Sequence, residues 1–144
     1  MPEYTNNALQ TITTNANVLF TETAVPCSTG YVIHRNGAGI FTLKGAVANP
    51  CTCYARYKVS FNGNIAVAEG GTVGPISLSI TINGESVPTT TAIVTPAAVG
   101  DFFNVHTEII VLVPKGCCYT LSVENTSATS IEVQNANIII ERIA

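Results

Sequence analysis

Ile76-Ser77-Leu78-Ser79-Ile80-Thr81-Ile82-Asn83-Gly84 is the stretch that decides the fold class. Apolar and small hydroxylated residues alternate along it. Successive side chains of a β-strand point to opposite faces, so this pattern predicts one face in a core and the other in water. The Asn-Gly that ends the run is the dipeptide that supplies positive φ at both centres of a tight hairpin turn. Working outward, Tyr57, Val59 and Phe61 alternate with Arg56, Lys58 and Ser60, and Tyr119, Leu121 and Val123 with Thr120, Ser122 and Glu124. Asn36-Gly37 and Asn62-Gly63 repeat the turn signal, each after a β-rich run. Pro75, Pro88, Pro96 and Pro114 fall at strand ends or in connections, where a missing N–H does not interrupt a ladder. No comparable stretch has the 3.6-residue period of a helix.

These signals place strands near 8–13, 17–22, 30–35, 39–45, 53–62, 75–83, 91–95, 102–113, 118–125 and 130–142. Many short strands without a helix predict an all-β, two-sheet antiparallel sandwich or jelly roll. The 144 residues suffice for one core, so residues 8–144 are expected to form a single domain behind a polar N-terminal arm, residues 1–7.

Hydrophobic residues make up 47% of the chain and charged residues only 10%, against roughly 25% in an average soluble protein. So few charges point to a surface covered in part by partners, with Thr, Ser and Asn dressing the remainder. A net charge of −3 with no basic run argues against a nucleic-acid partner. The opening Met1-Pro2-Glu3-Tyr4-Thr5-Asn6-Asn7 has no secretory signal character, and no apolar stretch approaches the roughly 20 residues of a membrane span. Synthesis and folding in the cytoplasm, with no membrane partner, is the resulting expectation.

The residues offer little for catalysis, and no enzyme is expected. His34 beside Arg35 reads as a solvated turn residue, and His106 lies two residues from Glu108 on the same strand face, where a carboxylate orients an imidazole. Gly37-Ala38-Gly39 and Gly70-Gly71-Thr72-Val73-Gly74 read as turns, since neither precedes a helix or carries the lysine of a phosphate loop. Cys27, Cys51, Cys53, Cys117 and Cys118 are odd in number, and their C-x-C and C-C spacings miss the zinc pattern. Buried or half-buried free thiols are expected, with a bond between the Cys51 region and Cys117 or Cys118 as the oxidised alternative. No metal or cofactor is implied.

Alternation fails in two places. From Phe102 to Val113 one parity is apolar throughout, while the other holds His106 and Glu108 and then Ile110 and Leu112. Ile138-Ile139-Ile140 repeats the pattern. A strand apolar on both faces is expected to be buried on both, either by other parts of the chain or by a second subunit.

The order of features resembles the C1q/TNF-like jelly roll. Leu9-Gln10-Thr11-Ile12, Asn17-Val18-Leu19-Phe20, the Gly30-to-Leu43 hairpin and Tyr57-Lys58-Val59-Ser60-Phe61 fit its opening half. Ile76 to Ile82, the strand into Pro114-Lys115-Gly116, Tyr119 to Asn125 and a final apolar strand fit its closing half. The resemblance implies a homotrimer with the Phe102–Val113 strand at the three-fold axis, and an interface containing His106, Glu108, Ile110, Leu112 and Ile139. A whole-chain jelly roll without a collagen-like stalk is further similar to the small capsid decoration, or head auxiliary, proteins of tailed bacteriophages. That similarity implies a virion protein whose partners are its own copies and the major capsid protein, with Pro2, Glu3, Tyr4, Thr5 and Asn6 as a docking arm. The alternative is a glycan- or ligand-binding module of a fibre tip or of a bacterial or spore surface, with Tyr4, Tyr31, Tyr54, Phe102 or Phe103 stacking on sugar.

Overall fold

The computed structural model describes residues 2–27 and 29–143. Met1 and Ala144, the outer limits of the expected arm and domain, lie outside the described residues. Among the described residues the alternating segments form twelve strands: β1 Glu3–Asn6, β2 Gln10–Ile12, β3 Glu22–Val25, β4 Val32–His34, β5 Phe41–Lys44, β6 Tyr54–Val67, β7 Ile76–Ile82, β8 Glu85–Ser86, β9 Ala92–Val94, β10 Phe103–Pro114, β11 Cys118–Asn125 and β12 Ile131–Arg142. The one helical element described is a 3-10 turn, Pro88–Thr90.

Two antiparallel sheets result. The first has the order β10-β6-β12-β1-β3, with β2 also on β12; the second runs β4-β5-β11-β7-β8, with β9 also on β7. The inward parity of β6 (Ala55, Tyr57, Val59, Phe61, Ile65, Val67) is fully buried, and it faces Phe41, Leu43, Leu78, Ile80, Leu121 and Val123 of the second sheet. Each large side chain in that layer contributes about 2 kcal/mol of transfer free energy. This is the two-sheet sandwich the alternation predicts.

The predicted wet face of β7 is only partly wet. Ser79 and Thr81 are as buried as the core, and each is satisfied by another hydroxyl: Ser79 by Thr91 at 2.8 Å and Thr81 by Ser122. Thr90 Oγ1 accepts the Ile80 N–H at 2.9 Å, and Thr107 Oγ1 donates to the Thr90 carbonyl at 2.7 Å. The 3-10 turn is thereby tied to both sheets, and the small hydroxyls of the run are a buried polar seam.

Of the three Asn-Gly turns expected, one stands and two change. Asn83-Gly84 is the two-residue turn foreseen, with φ of 54° and 85°. At Asn36-Gly37 only the glycine has positive φ, in a turn closed by Ala38 N–H to Arg35 O. Asn62-Gly63 is no turn: β6 runs through it, because Asn62 is paired to His106 on one side and Asn137 on the other. Two bonded edges outweigh a local turn preference. Residues 17–22, expected as a strand, form a single bridge, Asn17 to Glu124, before β3; Val18 and Phe20 are nonetheless fully buried.

The expected arm is corrected outright. Glu3–Asn6 is a strand inside the first sheet, paired to Ala136–Ile139 on one edge and to Glu22–Val25 on the other. Tyr4 is 4% exposed, and its ring lies 4.9 Å from Phe41 and 4.8 Å from His34. Pro2 is buried and its carbonyl accepts the Ile140 N–H. A segment with both edges bonded and its aromatic ring in the core is not free to reach a capsid. His34, expected to be solvated, stacks on Phe41 at 4.3 Å and bonds Ala38 O through Nε2 at 2.9 Å.

One irregularity sets the phase of the last strand. Gln134 pairs with Asn64 and Asn137 with Asn62, so Asn135 and Ala136 together oppose Gly63, and Asn135 takes φ 55°. This β-bulge moves the inward series from Ile131 and Val133 to Ala136, Ile138 and Ile140. Gly63 leaves room for it: a Cβ there would sit 3.2 Å from the Phe61 ring and 3.5 Å from the Ala136 backbone.

Because Tyr4 is a core residue, Tyr4→Ala is expected to cost about 3–5 kcal/mol, as for other large aromatic truncations. Deleting residues 2–6 is expected to lower the thermal midpoint still further. Calorimetry checks both, and a deletion variant that melts with the full chain would restore the arm.

Candidate functional site

The five residues assigned to a subunit interface share one surface. On β10 the outward parity holds Asn104, His106, Glu108, Ile110 and Leu112, all exposed. Across the ladder these stand opposite Asn64, Asn62, Ser60, Lys58 and Arg56 of β6. Ile139 of β12, half-buried, pairs with Ser60 and so joins the row of Glu108. Ile110 is 58% and Leu112 45% exposed, so neither finds cover within the chain. Nor does β1 lie over Ile139: Glu3 sits beside it in the plane of the sheet.

Three polar pairs lie on this face. Lys58 Nζ lies 2.9 Å from Glu108 Oε1, Asn137 donates to Glu3 at 2.9 Å, and Asn104 to Asn64 at 3.2 Å. The carboxylate expected to orient His106 is thus engaged by Lys58. The hydrogen bond from Lys58 holds the Glu108 carboxyl below its usual range, and the same bond raises the Lys58 ammonium. A depressed carboxyl contributes stability above its unfolded pKa and loses it as pH falls through the folded value. In an exposed pair the effect is small and screened by salt.

Tyr54, Arg56, Lys58 and Ile143 belong to the same face but were not assigned to it from sequence. Tyr54 is 47% and Ile143 45% exposed, and Ile143 N–H bonds Arg56 O. The signal for the β6 residues was their parity opposite Ala55, Tyr57 and Val59.

A second concavity, about 330 Å³, lies between Pro2, Cys27, Tyr31, Ile140 and Arg142. The Arg142 guanidinium stands 4.2 Å over the Tyr31 ring. Burial raises the Cys27 thiol, but hydrogen bonds from Thr29 and the backbone outweigh it and lower the thiol to about 7. His34 bonds Ala38 O through Nε2, and His106 lies on the outer face of β10. No group of three or more His, Cys, Asp or Glu suited to a metal ion occurs among the described residues, and no described helix is long and apolar enough to cross a membrane.

The aromatic residues considered for sugar stacking do not assemble. Tyr4 is in the core, Tyr31 lies under Arg142, and Phe102 and Phe103 are 39% and 43% exposed. Phe103 starts β10 while Tyr54 pairs with Pro114 at its other end, about 36 Å away at the rise of an extended strand.

No protein-family model matches the sequence, and a search of curated proteins finds no significant relative. Solved structures do match. The globular domain of zebrafish complement 1qA protein is similar at 13% identity and a TM-score of 0.58, over 96% of this chain and 94% of that one. The Eiger TNF of S. frugiperda is similar at 10% identity and a TM-score of 0.69, over 100% of this chain and 92% of that one. The fold is therefore the C1q/TNF-like jelly roll, and at these identities the likeness is one of fold.

Replacing Lys58 with Ala is expected to raise the Glu108 carboxyl midpoint toward the usual glutamate range. An NMR pH titration of the side-chain carboxyl reads it, and an unmoved midpoint would show that Lys58 does not hold the charge.

Proposed function

We propose that this protein is a non-catalytic, homotrimeric structural subunit that decorates the outer surface of a bacteriophage head, with its own copies and the major capsid protein as partners. The observation that carries the assembly is the pair Ile110 and Leu112, exposed side by side on the outward face of β10. Core-sized apolar side chains beside the Lys58–Glu108 ion pair and Arg56 match the composition of an interface centre with a polar rim. Strand β10 is also the edge of its sheet, with twelve residues whose outer main chain pairs with no described strand. Long free edges of this kind are covered in most folded proteins. A charged content of 10% agrees with a surface that is largely shared.

The head-decoration role rests on the resemblance described above together with this face. A rigid trimer gripping several capsomers turns weak contacts into strong retention without catalysis. Since Pro2 to Asn6 are locked into the first sheet, the capsid contact falls to loops at the ends of the sandwich. Val73, Val99 and Phe102 are exposed in loops at the end where Gly100 N–H bonds Val67 O.

Sedimentation is expected to give three times the 15.1 kDa chain mass at micromolar concentration. Ile110→Asp and Leu112→Asp are each expected to shift the species to monomer while leaving the circular dichroism spectrum unchanged. A wild-type monomer, or a trimer indifferent to both substitutions, would overturn the assembly. Fluorescently labelled trimer bound to purified undecorated heads tests the role, and no saturable binding would overturn it.

A further inference from the structure

Four of the five cysteines are exposed and stand at one end of the sandwich. Main-chain contacts bring them together. Pro114 to Cys117 is a tight turn closed by Cys117 N–H to Pro114 O, with Gly116 at φ 81°. The loop between β5 and β6 is fastened to that turn at both ends. At its start Gly45 N–H bonds Cys117 O and Gly116 N–H bonds Gly45 O; at its finish Lys115 N–H bonds Cys53 O. The approach is so close that a Cβ on Gly45 would meet Pro114 O at 2.1 Å and Cys117 O at 2.9 Å. Cys51 and Cys53 thus lie on a loop clamped to the turn that carries Cys117 and leads into Cys118.

Strand parity selects one pair. Cys53 continues the inward series of Ala55, Tyr57 and Val59, and Cys117 continues that of Tyr119, Leu121 and Val123. Both residues are exposed, immediately ahead of the strands they lead into. Cys118 has the parity of Thr120 and Ser122 instead. The Lys115 N–H to Cys53 O bond at 2.8 Å sets Cys53 against the turn, and Cys117 lies two residues further round it. All five cysteines are free thiols in this structure, and no three of the thiols converge as metal ligands would.

We propose that Cys53 and Cys117 form an intramolecular disulfide when the protein meets a small-molecule disulfide oxidant of the glutathione type. One protein thiolate attacks a sulfur of oxidised glutathione, giving a mixed disulfide and releasing one glutathione thiolate. The second protein thiolate attacks the protein sulfur of that mixed disulfide and releases the second. Two protein thiols are oxidised, one glutathione disulfide is reduced to two thiols, and the two protons pass to the glutathione released. The bond joins the first sheet at the start of β6 to the second sheet at the start of β11, a staple between layers that forms as the surroundings become oxidising.

The test treats reduced protein with oxidised glutathione and follows intact mass, non-reducing peptide maps and thermal melting. One bond per chain is expected, a mass lower by about 2 Da, with the Cys53 and Cys117 peptides joined. The thermal midpoint is expected to rise by roughly 5–10 °C and to fall back on reduction. The double variant Cys51→Ser with Cys118→Ser is expected to keep the bond, and adding Cys53→Ser to it is expected to abolish it. All three positions are exposed, so folding is not at stake. Maps joining Cys51 to Cys53 or Cys117 to Cys118, chains linked to one another, or stable glutathione adducts on Cys53 and Cys117 would each overturn the proposal.

Discussion

Strand β6 is hydrogen-bonded along both edges, to β10 from Tyr54 to Ile65 and to β12 from Tyr57 to Val67. A strand so placed is fixed in register by two partners, and its side-chain parity decides which residues meet the core. A slip by one residue would turn Tyr57, Val59 and Phe61 to the outside and Arg56 and Lys58 inward, exchanging a packed layer for buried charge. Most of the first sheet follows from that constraint. Lys58 is held outward, where it meets Glu108; the outward row of β10 is then Asn104 to Leu112; and β12 is left to carry the rest of the sheet through β1 and β2.

What could be read from the sequence was whatever alternation and adjacent residues control. β7 and its Asn83-Gly84 turn are local, and they fold as their residues dictate. β1 is not. Its residues are mostly polar, and it becomes a strand because a slot exists beside Ala136 to Ile139, at least 130 residues away in the chain. Asn62-Gly63 shows the converse, a strong local turn signal overridden by partners on both sides. Ser79 and Thr81 were legible as outward-facing but not as buried, since their burial depends on Thr91 and Ser122 offering hydroxyls at the right height.

The candidate face was legible in part for a related reason. Ile110 and Leu112 break the alternation of their own strand, so they announce themselves without knowledge of any neighbour. Lys58 obeys the alternation of its strand and gives no sign that Glu108, 50 residues on, is its partner. The thiols were expected to be at least half-buried, and four of them are exposed because they lie beyond the last core layer, in a loop and a turn whose mutual anchoring is made by the main chain.

The bulge at Asn135 and Ala136 gives β12 two halves of opposite phase. Losing one of the two bulge residues would restore simple alternation without disturbing the register, with Ala136 opposite Gly63 and Ile138 still opposite Phe61, so the tail from Asn137 to Arg142 would keep its faces. Ile138 and Ile140 would stay inward opposite Phe61 and Val59, Ile139 would stay outward opposite Ser60, and the surface offered to a neighbouring copy would be unchanged. This joint is therefore a place where β12 can shorten by one residue without changing how adhesive the molecule is, and related chains are expected to tolerate a loss of length here.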